Sequence, residues 1–282
     1  MTVFAAALDP RTTLARPDLA EQALEGLVPA AAYRPVTPMQ CVVAVTPVRT
    51  TAGPDGEQAD QLVFGEGFDV LDRRDDQVWG RARRDGVVGW VDIVALSETV
   101  TPPTHRICTL ISPVYPAATA ADSVASLPLN ALVTTGASDH GRVEVPGVGW
   151  VAVRHLAPLD RFDSDPGEAA ERFVGTPFMP GGRTALGTNC SGLVQQALYA
   201  CGLGGPRFRD GQSGLGHPVE ATALRRGDLV VWTDHTGVMV DTDRIVHATS
   251  HHGSVAVEAL AEADVRERAA GSDAPIFRRV TL

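Results

Sequence analysis

Asn189-Cys190-Ser191-Gly192-Leu193 follows a run of small and hydroxyl residues, Gly181-Gly182-Arg183-Thr184-Ala185-Leu186-Gly187-Thr188. Beyond it Leu193, Val194, Ala197, Leu198 and Cys201 recur at helical spacing, and Gly202 closes the pattern. The spacing predicts a helix with Cys190 at or next to its N-terminus. N–H groups without intrahelical acceptors and the helix dipole favour a thiolate there. A cysteine so placed is a nucleophile or a metal ligand. Taken alone it would read as a small buried hydrophobe, and the downstream sequence decides between these.

Gly227-Asp228 reads as a turn, 229–232 as a buried strand, 235–240 as a second strand and 244–248 as a third. His235 opens the second and His247 lies on the third. Two histidines so placed face one helix terminus across a sheet. His235 would be the base, and His247 would hold its other ring nitrogen and fix the tautomer. Each alone is an ordinary histidine; the order Cys, His, His on helix, strand, strand is specific.

These residues resemble the NlpC/P60 family of cysteine peptidases, papain-like α+β folds that cut bacterial cell-wall peptides. The resemblance rests on Gly181-Gly182, Cys190-Ser191-Gly192-Leu193, Gly227-Asp228-Leu229, His235-Thr236-Gly237-Val238 and Val246-His247-Ala248, all in the family's order. It implies a catalytic domain over 163–282 with Cys190, His235 and His247 as the catalytic set. The expected reaction is amide hydrolysis through an acyl-enzyme, in which a Cys190 thiolate paired with a His235 imidazolium attacks the carbonyl.

The front of the chain changes character. Residues 1–38 are rich in Pro and Ala, and Pro17-Asp18 predicts one helix through Leu19, Ala20, Ala23 and Leu24 to Gly26. Over 39–100, short strands at Val42–Val45, Gln61–Phe64, Phe68–Leu71, Val78–Ala82 and Gly89–Val91 are separated by turns, the spacing of a small β-barrel. Over 104–159 the pattern repeats: Ser112-Pro113-Val114 echoes Thr46-Pro47-Val48 at an offset of 66, and Gly149-Trp150-Val151 echoes Gly89-Trp90-Val91 at 60. Both units resemble bacterial SH3 (SH3b) domains.

Two such modules ahead of an NlpC/P60 domain resemble the layout of the YkfC-like γ-D-glutamyl-L-diamino acid endopeptidases. That resemblance implies the bond between the γ-carboxyl of D-Glu and diaminopimelate or Lys as the target. It implies substrate contacts from Asn189, Ser191, Phe178, Arg209, Asp210 and Glu66, with Glu66 near a free amino group and the first SH3b domain walling one end of the cleft. The chain departs from the pattern at three places around that end. Phe178 stands for the usual Tyr, Asn189 for the Asp before the cysteine, and Val87 for a Tyr in the barrel turn. A hydroxyl and a carboxylate are thereby missing, so either amine recognition weakens or that end of the substrate differs.

The 282 residues are 44% hydrophobic, with a net charge of −10 that argues against nucleic acid or an anionic membrane as partner. The four cysteines show no paired spacing; Cys41, Cys108 and Cys201 read as core, and isolated thiols fit a reducing compartment. The stretch Met1–Pro10 lacks the basic and long apolar segments of a leader, and no run reaches 18 apolar residues. The expectation is a cytoplasmic monomer that acts on a peptide without cofactor or metal. Competing readings are a wall-peptide binder with a relic cysteine domain, a thiol acyltransferase on the same fold, and a zinc site of Cys190, His235 and His247. The separations of 45 and then 12 residues resemble no compact zinc motif.

Overall fold

The computed structural model describes residues 8–281, so Met1–Ala7, part of the stretch read for a leader, lie outside it. The chain divides into two compact units, one ending at Pro102 and the other beginning at Pro103.

The first unit is a seven-stranded antiparallel sheet: β1 (Thr37–Cys41), β2 (Val45–Arg49), β3 (Gln58–Val63), β4 (Gly67–Arg74), β5 (Gln77–Ala82), β6 (Val88–Asp92) and β7 (Leu96–Ser97), in the order β3-β2-β6-β5-β4-β1-β7. Irregular register at Val48/Arg49 and between Val70 and Asp72 bends β2 and β4. The predicted strand at Val42–Val45 is instead a corner. The chain leaves β1 after Cys41 and re-enters the sheet at Val45 with different neighbours.

The predicted helix after Pro17 is absent. Ala20–Glu21 pairs in parallel with Tyr33–Arg34, and only Gln22–Leu24 turns, as a 3₁₀ helix. A segment this short, closed by Gly26, returns too little for the cost of nucleating a helix. Its apolar side chains have a better use: Leu14 and Leu19 pack with Leu71, Trp79 and Trp90 of the barrel. Arg16 lies over the Trp79 ring at 4.2 Å and pairs with Asp72.

The second unit opens with eight short strands over 105–158, gathered into three small sheets. The repeat seen in the sequence recurs in the backbone. Cys41 pairs with Leu96, and Ile107 with Leu156. The Val42 N–H reaches Ala95 O, and the Cys108 N–H reaches His155 O. Arg49 pairs with Trp90, and Tyr115 with Trp150. A 3₁₀ turn follows each Trp strand, at Ile93–Ala95 and Val153–His155. Each of these pairs is separated by the same offsets of 66 and 60.

The sequence set 104–159 apart from the remainder, yet both lie in one compact unit. Buried polar side chains explain this. Arg106 donates to Ala200 O at 3.1 Å, Asn130 donates to Gln196 O at 3.0 Å, and Leu129 joins the core of the larger part.

That larger part has helices α1 (Pro166–Glu171), α2 (Cys190–Ala200), α3 (Arg209–Ser213) and α4 (Leu260–Ala269). Its sheet holds β8 (His217–Pro218), β9 (Leu229–Val231), β10 (Thr236–Met239), β11 (Arg244–Thr249), β12 (Ser254–Ala259) and β13 (Ile276–Arg279), ordered β8-β13-β9-β10-β11-β12 with every neighbouring pair antiparallel. Alternation along the strands sorts residues between two faces. Leu229, Val231, Val238, Val246 and Ala248 pack with Leu193, Val194, Ala197 and Leu198 of α2. Val230, Met239 and Ile245 pack with Trp232 and with Ala263 of α4. All of α2 is buried, which suits a sequence with no charged residue between Cys190 and Ala200. Among the described residues, no helix is long and apolar enough to cross a membrane.

Candidate active site

Cys190 is the first residue of α2. Asn189 is its N-cap, and its Oδ1 accepts the Gly192 N–H at 2.9 Å. The two-residue hairpin of Arg183–Thr184 and Gly187–Thr188 lies against this helix start. A Cβ on Gly192 would sit 2.2 Å from Gly182 O, so only glycine lets the hairpin approach so closely.

Two N–H groups, from Thr236 and Ser191, point at the Cys190 sulfur. Thr236 follows His235 directly, so the sulfur lies against the backbone that carries the first histidine. His235 precedes β10 rather than lying within it, and its C=O accepts the Trp232 N–H at 2.9 Å. Its Nε2 lies 2.7 Å from His247 Nδ1, with the two rings edge-on. Both histidines are buried, His247 completely. Cys190 thus opens α2, His235 lies at the entry to β10 and His247 on the neighbouring β11, with the two histidine rings in contact.

The electrostatics differ from the expected thiolate at a helix start. Burial pushes the Cys190 thiol up, and Arg209, the two N–H groups and Arg207 only oppose that rise. Burial pushes His235 down to about 3, helped by His247, Arg266 and Arg209. His247 is pushed down to about 4, also by burial, with Glu258 acting in the opposite direction. Desolvation penalises every charged form here and so works against a thiolate–imidazolium pair.

The sequence missed the residues beyond His247. Glu258 Oε1 lies 2.7 Å from His247 Nε2, off the line of a well-formed hydrogen bond. Arg266 of α4 engages both Glu258 oxygens, one at 3.1 Å. His252 Nε2 is 3.4 Å from Oε2. His247 pairs with Ala256, so Glu258 is its diagonal neighbour across β11 and β12. The available signal was alternation, which sets Glu258 on the strand face of Ala256. Trp232, whose Nε1 donates to Asp264 of α4 at 3.0 Å, lies tilted beside the His235 ring at 5.7 Å between centroids. His247, His252 and Glu258 are the group whose donors converge closely enough to hold a metal ion among the described residues; Cys190 and His235 are not part of it. Arg266 already supplies a cation to that carboxylate.

The predicted substrate contacts divide. Ser191 is buried; its Oγ accepts from Arg207 at 2.9 Å and its C=O accepts from Gln212 at 2.9 Å. Asn189 Oδ1 also accepts from Arg207, at 3.1 Å. Both residues flanking the nucleophile are thus bound to a buried arginine that the sequence reading passed over. Arg209 pairs with Asp234 at 3.0 Å, beside His235, and Asp210 is exposed on α3. Phe178 packs on the main core and bridges to Thr188. Glu66 belongs to the first unit, where it is buried, accepts the Val63 N–H at 3.1 Å and pairs with Arg84 at 3.0 Å.

All four cysteines are free; Cys41 and Cys201 are buried as expected, whereas Cys108 is part-exposed just past a three-residue strand. Burial raises the Cys201 thiol to about 11. Of the remaining histidines, His217 is exposed, and His251 and His252 lie in the turn between β11 and β12.

The second unit thus carries a cysteine at a buried helix start and two linked histidines on one antiparallel sheet. Comparison with known proteins agrees. Residues 175–272 match the NlpC/P60 family, and residues 48–96 match the bacterial dipeptidyl-peptidase Sh3 domain. The chain thus carries an NlpC/P60 domain and a bacterial SH3 domain, and through the former it is homologous to endopeptidases.

Three relatives illustrate this. A "Probable endopeptidase" of Haemophilus influenzae is 30% identical over 31% of this chain and 60% of its own length. Dipeptidyl-peptidase 6 of Lysinibacillus sphaericus is 31% identical over 34% and 35%. The murein DD-endopeptidase MepS/murein LD-carboxypeptidase of Escherichia coli is 33% identical over 29% and 46%. The match thus spans 60% or less of the length of each of these relatives. A crystal structure of an NlpC/P60 family protein from Bacillus cereus shares the fold with a TM-score of 0.71 over 86% of this chain and 99% of that one, at 16% identity.

Proposed function

We propose that this chain is a cysteine peptidase that hydrolyses the γ-D-Glu–diamino acid amide bond of peptidoglycan-derived peptides. The observation that carries the catalytic part is the 2.7 Å approach of His235 Nε2 to His247 Nδ1, with the backbone after His235 pointing its N–H at Cys190. His247 occupies one nitrogen of His235, which leaves Nδ1 as the base. As sulfur attacks the amide carbonyl, the thiol proton passes to Nδ1. The oxyanion is met by first-turn N–H groups of α2, including that of Cys190, which have no intrahelical acceptor. Collapse breaks the C–N bond, the leaving amine takes the proton from His235, and water activated by the same nitrogen releases the acyl group from sulfur.

The substrate class rests on the resemblance and on relatives that carry names such as murein DD-endopeptidase. Asn189 and Ser191 serve chiefly to hold the helix start, because Arg207 engages the Oδ1 of one and the Oγ of the other. For Glu66 to meet an ammonium, Arg84 would have to give way. We read residues 104–159 as a second SH3b module, on the recurrence of the first unit's pairings. Four free thiols, one of them a nucleophile, suit a reducing compartment, and we place the enzyme in the cytoplasm, acting on released peptides.

The test is mass spectrometry of L-Ala-γ-D-Glu-diaminopimelate incubated with the enzyme, beside the N-acetylated peptide and with Cys190→Ala as control. Release of the diamino acid, lost in the variant, is the expected result. Intact peptide in every arm overturns the proposal.

A further inference from the structure

Burial of His247 leaves a specific difficulty. Its Nδ1 is committed to His235, and its Nε2 is a buried polar atom with no well-aligned hydrogen bond. A neutral imidazole is a donor at one nitrogen and an acceptor at the other, and nothing within the histidine pair decides which. If His247 carried its proton on Nδ1, it would offer a donor to His235 Nε2. His235 would then have to hold its own proton on Nδ1 and could not act as a base. The direction of the whole relay therefore depends on what lies at His247 Nε2.

What lies there is a carboxylate. Glu258 Oε1 is 2.7 Å from Nε2, and Arg266 grips both carboxylate oxygens. We propose, building on the peptidase reading, that Glu258 is a positioning residue: it accepts the Nε2–H of His247, leaves Nδ1 as the acceptor for His235 Nε2–H, and so makes His235 Nδ1 the base that faces Cys190. A second role follows from its charge. When Cys190 hands its proton to His235, positive charge appears on a buried ring, and a fixed carboxylate beyond His247 stabilises it. No proton leaves the histidines in that step; the carboxylate acts through charge and orientation.

Other groups around the pair set the balance. Arg266 from α4 and Arg209 from α3 oppose positive charge on His235, His252 from the turn opposes it on His247, and Glu258 favours it on both. Glu258 thus favours the charged form of both rings against the cost of burial. Its own ionisation is secure: against the cost of burial, Arg266 is the main group that holds it down, to about 2. Arg266 keeps the carboxylate in place and charged, while its positive charge limits how far the histidines are pushed towards the cation.

Two measurements test this without relying on peptide hydrolysis, so that failure of the peptidase reading would show separately as intact substrate. The first is the histidine tautomer in the unmodified protein, read by long-range ¹H–¹⁵N NMR at pH 7. His247 is expected as the Nε2–H form with a downfield Nε2 proton; the Nδ1–H form overturns the proposal. The second is alkylation of Cys190 by iodoacetamide at pH 7 in Glu258→Gln. The amide oxygen keeps the acceptor but removes the charge, so the rate is expected to fall about tenfold. On any peptide that is cleaved, kcat should fall with KM unchanged. A folded variant alkylated at the wild-type rate overturns the charge role. If Glu258→Gln does not fold, the wild-type tautomer decides.

Discussion

Arg207 donates to the Ser191 hydroxyl across 2.9 Å and to Asn189 Oδ1 across 3.1 Å, so one buried guanidinium ties both neighbours of Cys190 to the loop before α3. A planar fork with several fixed donors serves two acceptors at once, which an ammonium does less well. Arg207→Met removes these donors and leaves the buried Ser191 hydroxyl without its charged partner, at about 1–3 kcal/mol. The expected outcome is a loss of roughly 3 kcal/mol in urea unfolding and a fall of about a hundredfold in kcat/KM, with Arg207→Lys in between. Wild-type stability in Arg207→Met would show that the guanidinium contributes little to the helix start.

The histidine pair predicts how stability depends on acid. His235 and His247 titrate at about 3 and about 4 when folded, against 6.5 for an unperturbed histidine. Below about 6.5 the unfolded chain therefore binds protons that the folded one does not, and stability falls as pH drops. The loss grows until pH passes the folded values, where both states are protonated. Thermal unfolding between pH 7 and 5 should show Tm falling with acidity. In His247→Gln that slope should be visibly flatter, because one buried titrating ring is gone. An unchanged slope would place the acid sensitivity elsewhere.

The order of Cys190, His235 and His247 on helix, strand entry and strand was legible because each element carries a local signal. Apolar spacing marks α2, Gly202 marks its end, and Gly227-Asp228 marks the turn into β9. Glu258 and Arg207 gave no such signal. They reach the site across strands or from a loop, and an isolated charged residue in sequence looks like a solvated one. The opposition to a thiolate was hidden for a related reason: a helix terminus shows in sequence, whereas the burial that opposes its dipole is a property of the packed fold. The helix expected after Pro17 failed because Leu14 and Leu19 were needed against Trp79 and Trp90.

The recurring pairings of the two stretches share a steric requirement. A Cβ on Gly89 would lie 2.6 Å from Arg49 O and 2.6 Å from Val48 Cγ1; on Gly149 it would lie 2.6 Å from Tyr115 O and 2.8 Å from Val114 Cγ1. The obstruction is backbone in both cases, so it cannot rotate away. Gly89→Ala and Gly149→Ala should each cost on the order of 1–3 kcal/mol. Gly149→Ala adds strain, because Gly149 has φ 141°. Thermal unfolding of the two variants checks this, and a Tm unchanged by either would mean that the strands separate at no cost.

Asn189 offers a test of recognition separate from stability. As N-cap it holds the Gly192 N–H, so Asn189→Ala should cost about 1 kcal/mol and loosen the residue next to the nucleophile. Asn189→Asp keeps an equally good cap and gives Arg207 an ionic partner, so its stability should match or exceed that of the wild type. The added carboxylate also restores the charge that the family resemblance associates with a free amino terminus. Charge-assisted contacts exceed neutral ones by about 1 kcal/mol, so the preference for free L-Ala-γ-D-Glu-diaminopimelate over its N-acetylated form should rise roughly fivefold in kcat/KM. An equal change for both peptides would show that residue 189 acts on the nucleophile alone and that the amino terminus of the substrate lies elsewhere.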